Sequence, residues 1–180
     1  MTSNIPVTHR PNGPSKIHWT GFLRNISRRT VRVGELALVN SGPPLTCRAV
    51  GSTVAVCFHV PDLSIAGILH VAFPAAHHHR ALGQTMPFVF ADRGIAEVAR
   101  VLSDLEVKAE DVQVAMVGGS RLMDDPPTYD GPQRLVRAVE VMLATHGLVI
   151  QTRHLGGSRA RHVHQAVFGQ LLVLMTAGQP

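Results

Sequence analysis

A chain of 180 residues with 45% hydrophobic and 16% charged residues is long enough for one buried core and too apolar to stay disordered. Its net charge of +5 is uneven. Six of the 17 Lys and Arg residues (Arg10, Lys16, Arg24, Arg28, Arg29, Arg32) precede the first acid, Glu35, leaving 11 basic against 12 acidic residues and a net −1 for the remainder. That excludes a uniformly basic domain, and two cysteines exclude a disulfide framework while suiting a reducing compartment.

Residues 1–30 hold Pro6, Pro11, Gly13 and Pro14 and lack an apolar period, which predicts a flexible basic N-terminal extension. With Trp19 and Phe22 it has the parts to touch nucleic acid or an acidic protein surface; a solvated tail is the plainer reading, and nucleic acid is not the expected partner. No apolar run has the length of a signal peptide or a spanning helix, so membrane insertion is not expected and the cytoplasm is.

Residues 31–176 are expected to form one domain. Residues 31–39 read as a strand, 41–44 (Ser-Gly-Pro-Pro) as a turn and 45–49 as a short extended piece. Residues 53–60 are β-rich and apolar; alternation puts Val54, Val56 and Phe58 on one face and Thr53, Ala55 and Cys57 on the other. Pro61-Asp62 marks a turn, and residues 65–73 return as a strand in which His70 stands alone among apolar neighbours. His77, His78 and His79 follow in a loop; adjacent histidines make poor metal ligands.

A helix is predicted over 91–105, with Ile95, Val98, Ala99, Leu102 and Leu105 as its stripe, and a buried strand over 112–117 ending at Gly118-Gly119. Residues 124–132 read as a loop. A second helix over 133–145 carries Leu135, Val136, Val139, Met142 and Leu143, with Gly147 beyond its end. A strand over 148–153, a glycine turn with solvated arginines at 156–161, and a hairpin about Gly169-Gln170 complete the chain. His154, His162 and His164 are read as surface histidines. The pattern predicts an α/β (α+β) domain of mixed β-sheets flanked by helices, with neither cofactor nor metal.

Both cysteines, a hydroxyl and an isolated histidine fall between residues 47 and 70, and these are the parts of nucleophilic acyl chemistry. The plain alternative is a hydrogen-bonded core histidine beside small buried thiols.

The stretch Gly51-Ser52-Thr53-Val54-Ala55-Val56-Cys57, followed by Gly67-Ile68-Leu69-His70-Val71-Ala72-Phe73-Pro74, resembles the CheD family of chemoreceptor glutamine deamidases. Gly156-Gly157-Ser158-Arg159-Ala160-Arg161-His162-Val163 resembles a second motif of that family, which reads either as a plain glycine turn or as a rim that orients the substrate protein or shapes the active site, and the likeness extends over about residues 31–175. It implies a CheD-like deamidase fold and a nucleophile at position 53, with His70 as its base. The family's nucleophile is Cys, but Thr stands at 53. The family's active-site Thr, six residues upstream, is here Cys47, as though the two types had changed places.

The resemblance further implies a reaction in which the nucleophile attacks the side-chain amide of a receptor glutamine and water completes the hydrolysis. The implied partners are the cytoplasmic helices of methyl-accepting chemoreceptors and a phosphatase of the CheC type. Three readings stay open: a deamidase working with Thr53, His70 and Cys47; a catalytically impaired relative that binds receptors or the phosphatase; and a nucleic-acid binder using the arm. Cys47 is expected to lie near His70, to carry a low thiol pKa and to serve as the remaining nucleophile. Alternation is expected to aim Ser52 away from His70.

Overall fold

The structure, a computed structural model, describes residues 30–121, 126 and 128–176. The expected extension lies outside them but for Thr30, as does most of 122–127. Among the described residues are nine strands and three α-helices: β1 (Thr30–Val31), β2 (Leu36–Val39), β3 (Leu45–Val50), β4 (Val54–Val60), β5 (Ile65–Val71), α1 (Arg80–Thr85), α2 (Ala91–Asp104), β6 (Gln113–Gly118), α3 (Gly131–Thr145), β7 (Ile150–Leu155), β8 (Arg161–Gln165) and β9 (Leu171–Met175). The strands form two mixed sheets, ordered β2-β5-β4-β6-β7 and β1-β3-β8-β9. Only β6–β7 in the first and β1–β3 in the second pair in parallel. No helix among the described residues is long and apolar enough to cross a membrane.

β4 and β5 form the centre because every residue of both is buried. Alternation divides their side chains between two cores. Val54, Val56, Phe58 and Val60 face α2 and α3, meeting Ile95, Val98, Leu135, Val139 and Leu143. Ala55 and Cys57 face the other sheet, where Val31, Leu45, Cys47, Val50 and Val163 close a second core. The layers are therefore helix, sheet, sheet, and each fully buried aliphatic side chain in the two cores contributes about 2 kcal/mol.

Residues 31–39, expected as one strand, are two strands in different sheets. Gly34, at φ +81°, turns the chain, and Glu35 N donates to Arg32 O at 3.0 Å. A run that is apolar on both sides of a glycine shows one period, yet the positive φ breaks it. The segment after Pro74, read as loop, contains the short α1, which carries no apolar stripe for periodicity to find. The helix expected from 133 starts at Gly131 and uses Pro132 in its first turn. It ends at Thr145 as expected, with Gly147 just beyond. Gly147 N donates to Ala144 O at 3.0 Å and Leu148 N to Leu143 O at 2.9 Å, the paired bonds of a Schellman cap.

Candidate active site

β3 does not pair evenly with β8. Its register shifts between Cys47 and Val50, and Ala49 sits at φ +55°. Before the shift Cys47 points into the core between the sheets with no exposure; after it the chain reaches Gly51 and bends through Ser52 and Thr53 into β4. The bend is held from the β6 side. Ser120 N donates to Gly51 O and Gly119 N to Thr53 O, both at 2.8 Å. Gly118, at φ +121°, lies so close that a Cβ there would overlap the Thr53 carbonyl oxygen.

His70 is placed by β5 opposite Ala55, on the face turned to the second sheet, and is 2% exposed. Its backbone is fixed by the Gly34 turn: Gly34 N donates to His70 O at 2.7 Å and His70 N to Glu35 O at 3.1 Å. Its ring lies between the two residues of exchanged type. Thr53 Oγ1 is 2.7 Å from Nε2, and Cys47 Sγ is 3.1 Å from Nδ1. Burial lowers the His70 pKa to about 4, so the ring is neutral at pH 7 and carries one N–H. With that proton on Nδ1, directed at sulfur, Nε2 has a lone pair for the Thr53 hydroxyl. The other tautomer donates to Thr53 and cannot act as its base.

A pocket of about 360 Å³ opens over one side of this row. Thr53, His70, Ser52 and Gly51 line it, with Arg32 and Arg48 at its edge. Cys47 does not. Burial, and secondarily the charge of Glu35, raises its thiol pKa to about 12, the reverse of the low value expected from the sequence. A sulfhydryl kept protonated behind the imidazole is a partner for the ring, not a thiolate facing substrate. Thus the three residues singled out in the sequence lie together, with Thr53 on the pocket side, His70 in the middle and Cys47 behind.

His79, His162, His154 and His164 stand apart from this row. His79 packs its ring against Phe73 and Phe90, and His162 Nδ1 accepts the Ala49 N–H at 3.3 Å. His154 is exposed and His164 half-buried. Ser52 lines the pocket without a bond to His70. Sequence reasoning missed Ser120, and for Arg161 it left open a solvated turn or a rim shaping the active site. Ser120 is fully buried, and Arg161, read as a solvated arginine of a glycine turn, is 9% exposed. Its alternation with Val163 and Gln165 along β8, both buried, was the available signal.

The family model of CheD chemotactic sensory transduction matches residues 72–172, beginning two positions after His70. The chain is 30% identical over 134 residues to a probable chemoreceptor glutamine deamidase CheD of Syntrophotalea carbinolica, covering 73% of this chain and 83% of that one. It is 27% identical over 153 residues to the chemoreceptor glutamine deamidase CheD of Thermotoga maritima, covering 84% and 94%. A third relative, from Nitratidesulfovibrio vulgaris and also described as a probable chemoreceptor glutamine deamidase, is 30% identical over 137 residues, with 73% and 68% covered.

Proposed function

The chain belongs to the CheD family, and from that premise we propose that it is a chemoreceptor glutamine deamidase, an amide hydrolase that converts receptor glutamine side chains to glutamate and releases ammonia in the cytoplasm. The observation that carries the assignment of roles is the 2.7 Å approach of Thr53 Oγ1 to His70 Nε2 at the pocket wall. Nε2 takes the hydroxyl proton as Oγ1 bonds to the amide carbon, and the amide oxygen becomes an oxyanion. The imidazolium then gives its proton to the departing nitrogen, which leaves as ammonia, and a Thr53 ester of the glutamyl side chain remains. Water, deprotonated by Nε2, attacks that ester; glutamate leaves and the hydroxyl is restored. Cys47 holds the ring by its Nδ1 edge, and Nε2 is free when that edge carries the ring proton and sulfur accepts it.

The test is mass spectrometry of receptor cytoplasmic fragments after incubation with the protein, alongside an ammonia assay. An amide-to-acid mass increment on defined glutamines, absent with His70→Ala, supports the reading. Receptor left unchanged by both wild type and Thr53→Cys overturns it.

A second reading is supported by the same residue. A hydroxyl lacks the thiolate population of a cysteine, and a buried imidazole with a pKa of about 4 is a weak base for it. On this reading the chain binds chemoreceptor helices or a CheC-type phosphatase without turnover. Co-purification with either partner, without deamidation, is its signature.

A further inference from the structure

Three loops meet behind the Thr53 bend, and a buried cation ties them. Arg161 donates from Nη1 to Ser120 Oγ at 2.6 Å and to Arg159 O at 3.4 Å, and from Nη2 to Gly156 O at 2.7 Å. The Ser120 hydroxyl has Arg159 O at 2.8 Å and Gly156 O at 3.1 Å as acceptors. Gly156 N donates to Gly118 O at 2.9 Å, so the 156–161 turn is fastened to the end of β6 at several points. The guanidinium's partners here are neutral oxygens. A buried cation so held stays only where its hydrogen bonds are well made, which makes the knot rigid.

The knot bears on the pocket through one peptide plane. Ser120 N holds Gly51 O at 2.8 Å. There are no cis peptide bonds among the described residues, so within the Gly51–Ser52 plane the Ser52 N–H points opposite to that carbonyl. It therefore points away from Ser120, on a residue that lines the pocket next to Thr53. No acceptor among the described residues takes this N–H. An unengaged amide beside a nucleophile is the group needed where an amide oxygen gains charge.

We infer that Arg161 is a positioning residue: through Ser120 it fixes the Gly51–Ser52 peptide so that Ser52 N–H faces the pocket and receives the oxyanion formed when Thr53 attacks the substrate amide. The inference rests on the deamidase reading for its chemistry and on the hydrogen-bond geometry for its positioning.

The experiment compares wild type with Arg161→Ala, Arg161→Lys and Ser120→Ala in the full chain, by two measurements. The first is amide hydrogen exchange at Ser120 and Gly119, whose N–H groups hold the bend. Protection at both falls at least about tenfold in Arg161→Ala, while Ser52 exchanges freely in every form. The second is steady-state deamidation of a receptor cytoplasmic fragment. Loss of an ordered oxyanion donor lowers kcat by about a hundredfold with KM nearly unchanged. Added guanidinium restores part of kcat to Arg161→Ala, and Arg161→Lys stays low because an ammonium lacks the planar fork.

Unchanged protection in folded Arg161→Ala overturns the inference whatever the activity, as does full kcat in a variant that has lost protection. If Arg161→Ala does not fold, Ser120→Ala removes the same junction by one oxygen and is judged by the same two measurements. Wild type and Thr53→Cys that both release no ammonia defeat the deamidase reading and with it the oxyanion role. Exchange then still decides whether Arg161 positions the bend.

Discussion

Cys47 Sγ lies 3.1 Å from His70 Nδ1, on the edge of the imidazole turned away from the pocket. The thiol thus stands where an orienting group stands in a nucleophile–base–orienter row, and the hydroxyl of Thr53 stands at the other end. With this arrangement and its burial, Cys47 is expected to be unreactive in the folded protein. At neutral pH iodoacetamide is expected to leave both Cys47 and Cys57 unlabelled until denaturant is added, since burial raises both thiol pKa values. Mass spectrometry of the labelled peptides checks this, and rapid native labelling of Cys47 would return it to the nucleophile's part. Cys47→Ala is expected to lower kcat by about tenfold, with little change in KM, because the ring loses the partner that orients it from its Nδ1 edge.

Thr53→Cys is expected to raise deamidation of a receptor fragment at least about tenfold, equivalent to about 1.4 kcal/mol of barrier. A thiol is a better nucleophile than a hydroxyl and needs less from a weak base. The exchange of a methyl and an oxygen for a sulfur costs about 1 kcal/mol of stability or less. His70→Ala in that background abolishes the gain. A Thr53→Cys variant that folds, binds receptor and gains nothing favours the non-catalytic reading.

The pH dependence follows from His70. Its folded pKa of about 4 lies below the ordinary value of 6.5, so below pH 6.5 the unfolded chain binds a proton that the folded chain refuses. Stability therefore falls as pH drops from 6.5 to about 4, by about 3 kcal/mol from this group, and levels off below. Urea titrations of wild type and His70→Phe across that range isolate the contribution. Activity keeps its base neutral over the same interval, so the acid limb of kcat/KM falls near pH 4. A limb near 6.5 would place the working imidazole in water.

Gly118→Ala is expected to unfold or inactivate the protein. A methyl there meets the Thr53 carbonyl oxygen, which is backbone and cannot swing aside, and φ +121° is hostile to any side chain. The cost is at least about 2 kcal/mol, read as a lower thermal midpoint. Any variant that survives shows a displaced Thr53 and lost turnover.

The centre of the fold is legible because alternation along residues 54–60 sorts side chains into two apolar faces, and the structure uses both. The helices at 91–104 and 131–145 are legible for the same reason, through their stripes. What the pattern hides are changes that leave hydrophobicity untouched. The Gly34 turn parts two apolar pieces into different sheets. The slip in β3 at residues 47–50 sets how Cys47 and Gly51 face each other, and no sequence period records it. In the site, the residue types at 47, 53 and 70 announce a chemistry, but which ring nitrogen meets which partner depends on three dimensions. Ser120, and the burial of Arg161 within a loop already read as a rim of the site, escape because hydroxyl and charge argue for solvent unless the partners that satisfy them are already in view.

One feature of the architecture sets a limit on the protein's working temperature. Cys47 rides on the four-stranded sheet, whereas His70 rides on the five-stranded one and Thr53 leads into it. The slot over Thr53 is edged by Arg48 of the four-stranded sheet and by Arg32 just beyond β1. The site is a seam, and its parts are welded by the aliphatic layer between the sheets rather than by either ladder. Heat that lets one sheet slide a fraction of an ångström over the other spoils the alignment at His70 while each sheet keeps its hydrogen bonds. Turnover should therefore fail on warming before circular dichroism reports any melting, and a larger aliphatic side chain that tightens this layer without strain would raise the temperature of failure and leave the melting point almost where it was.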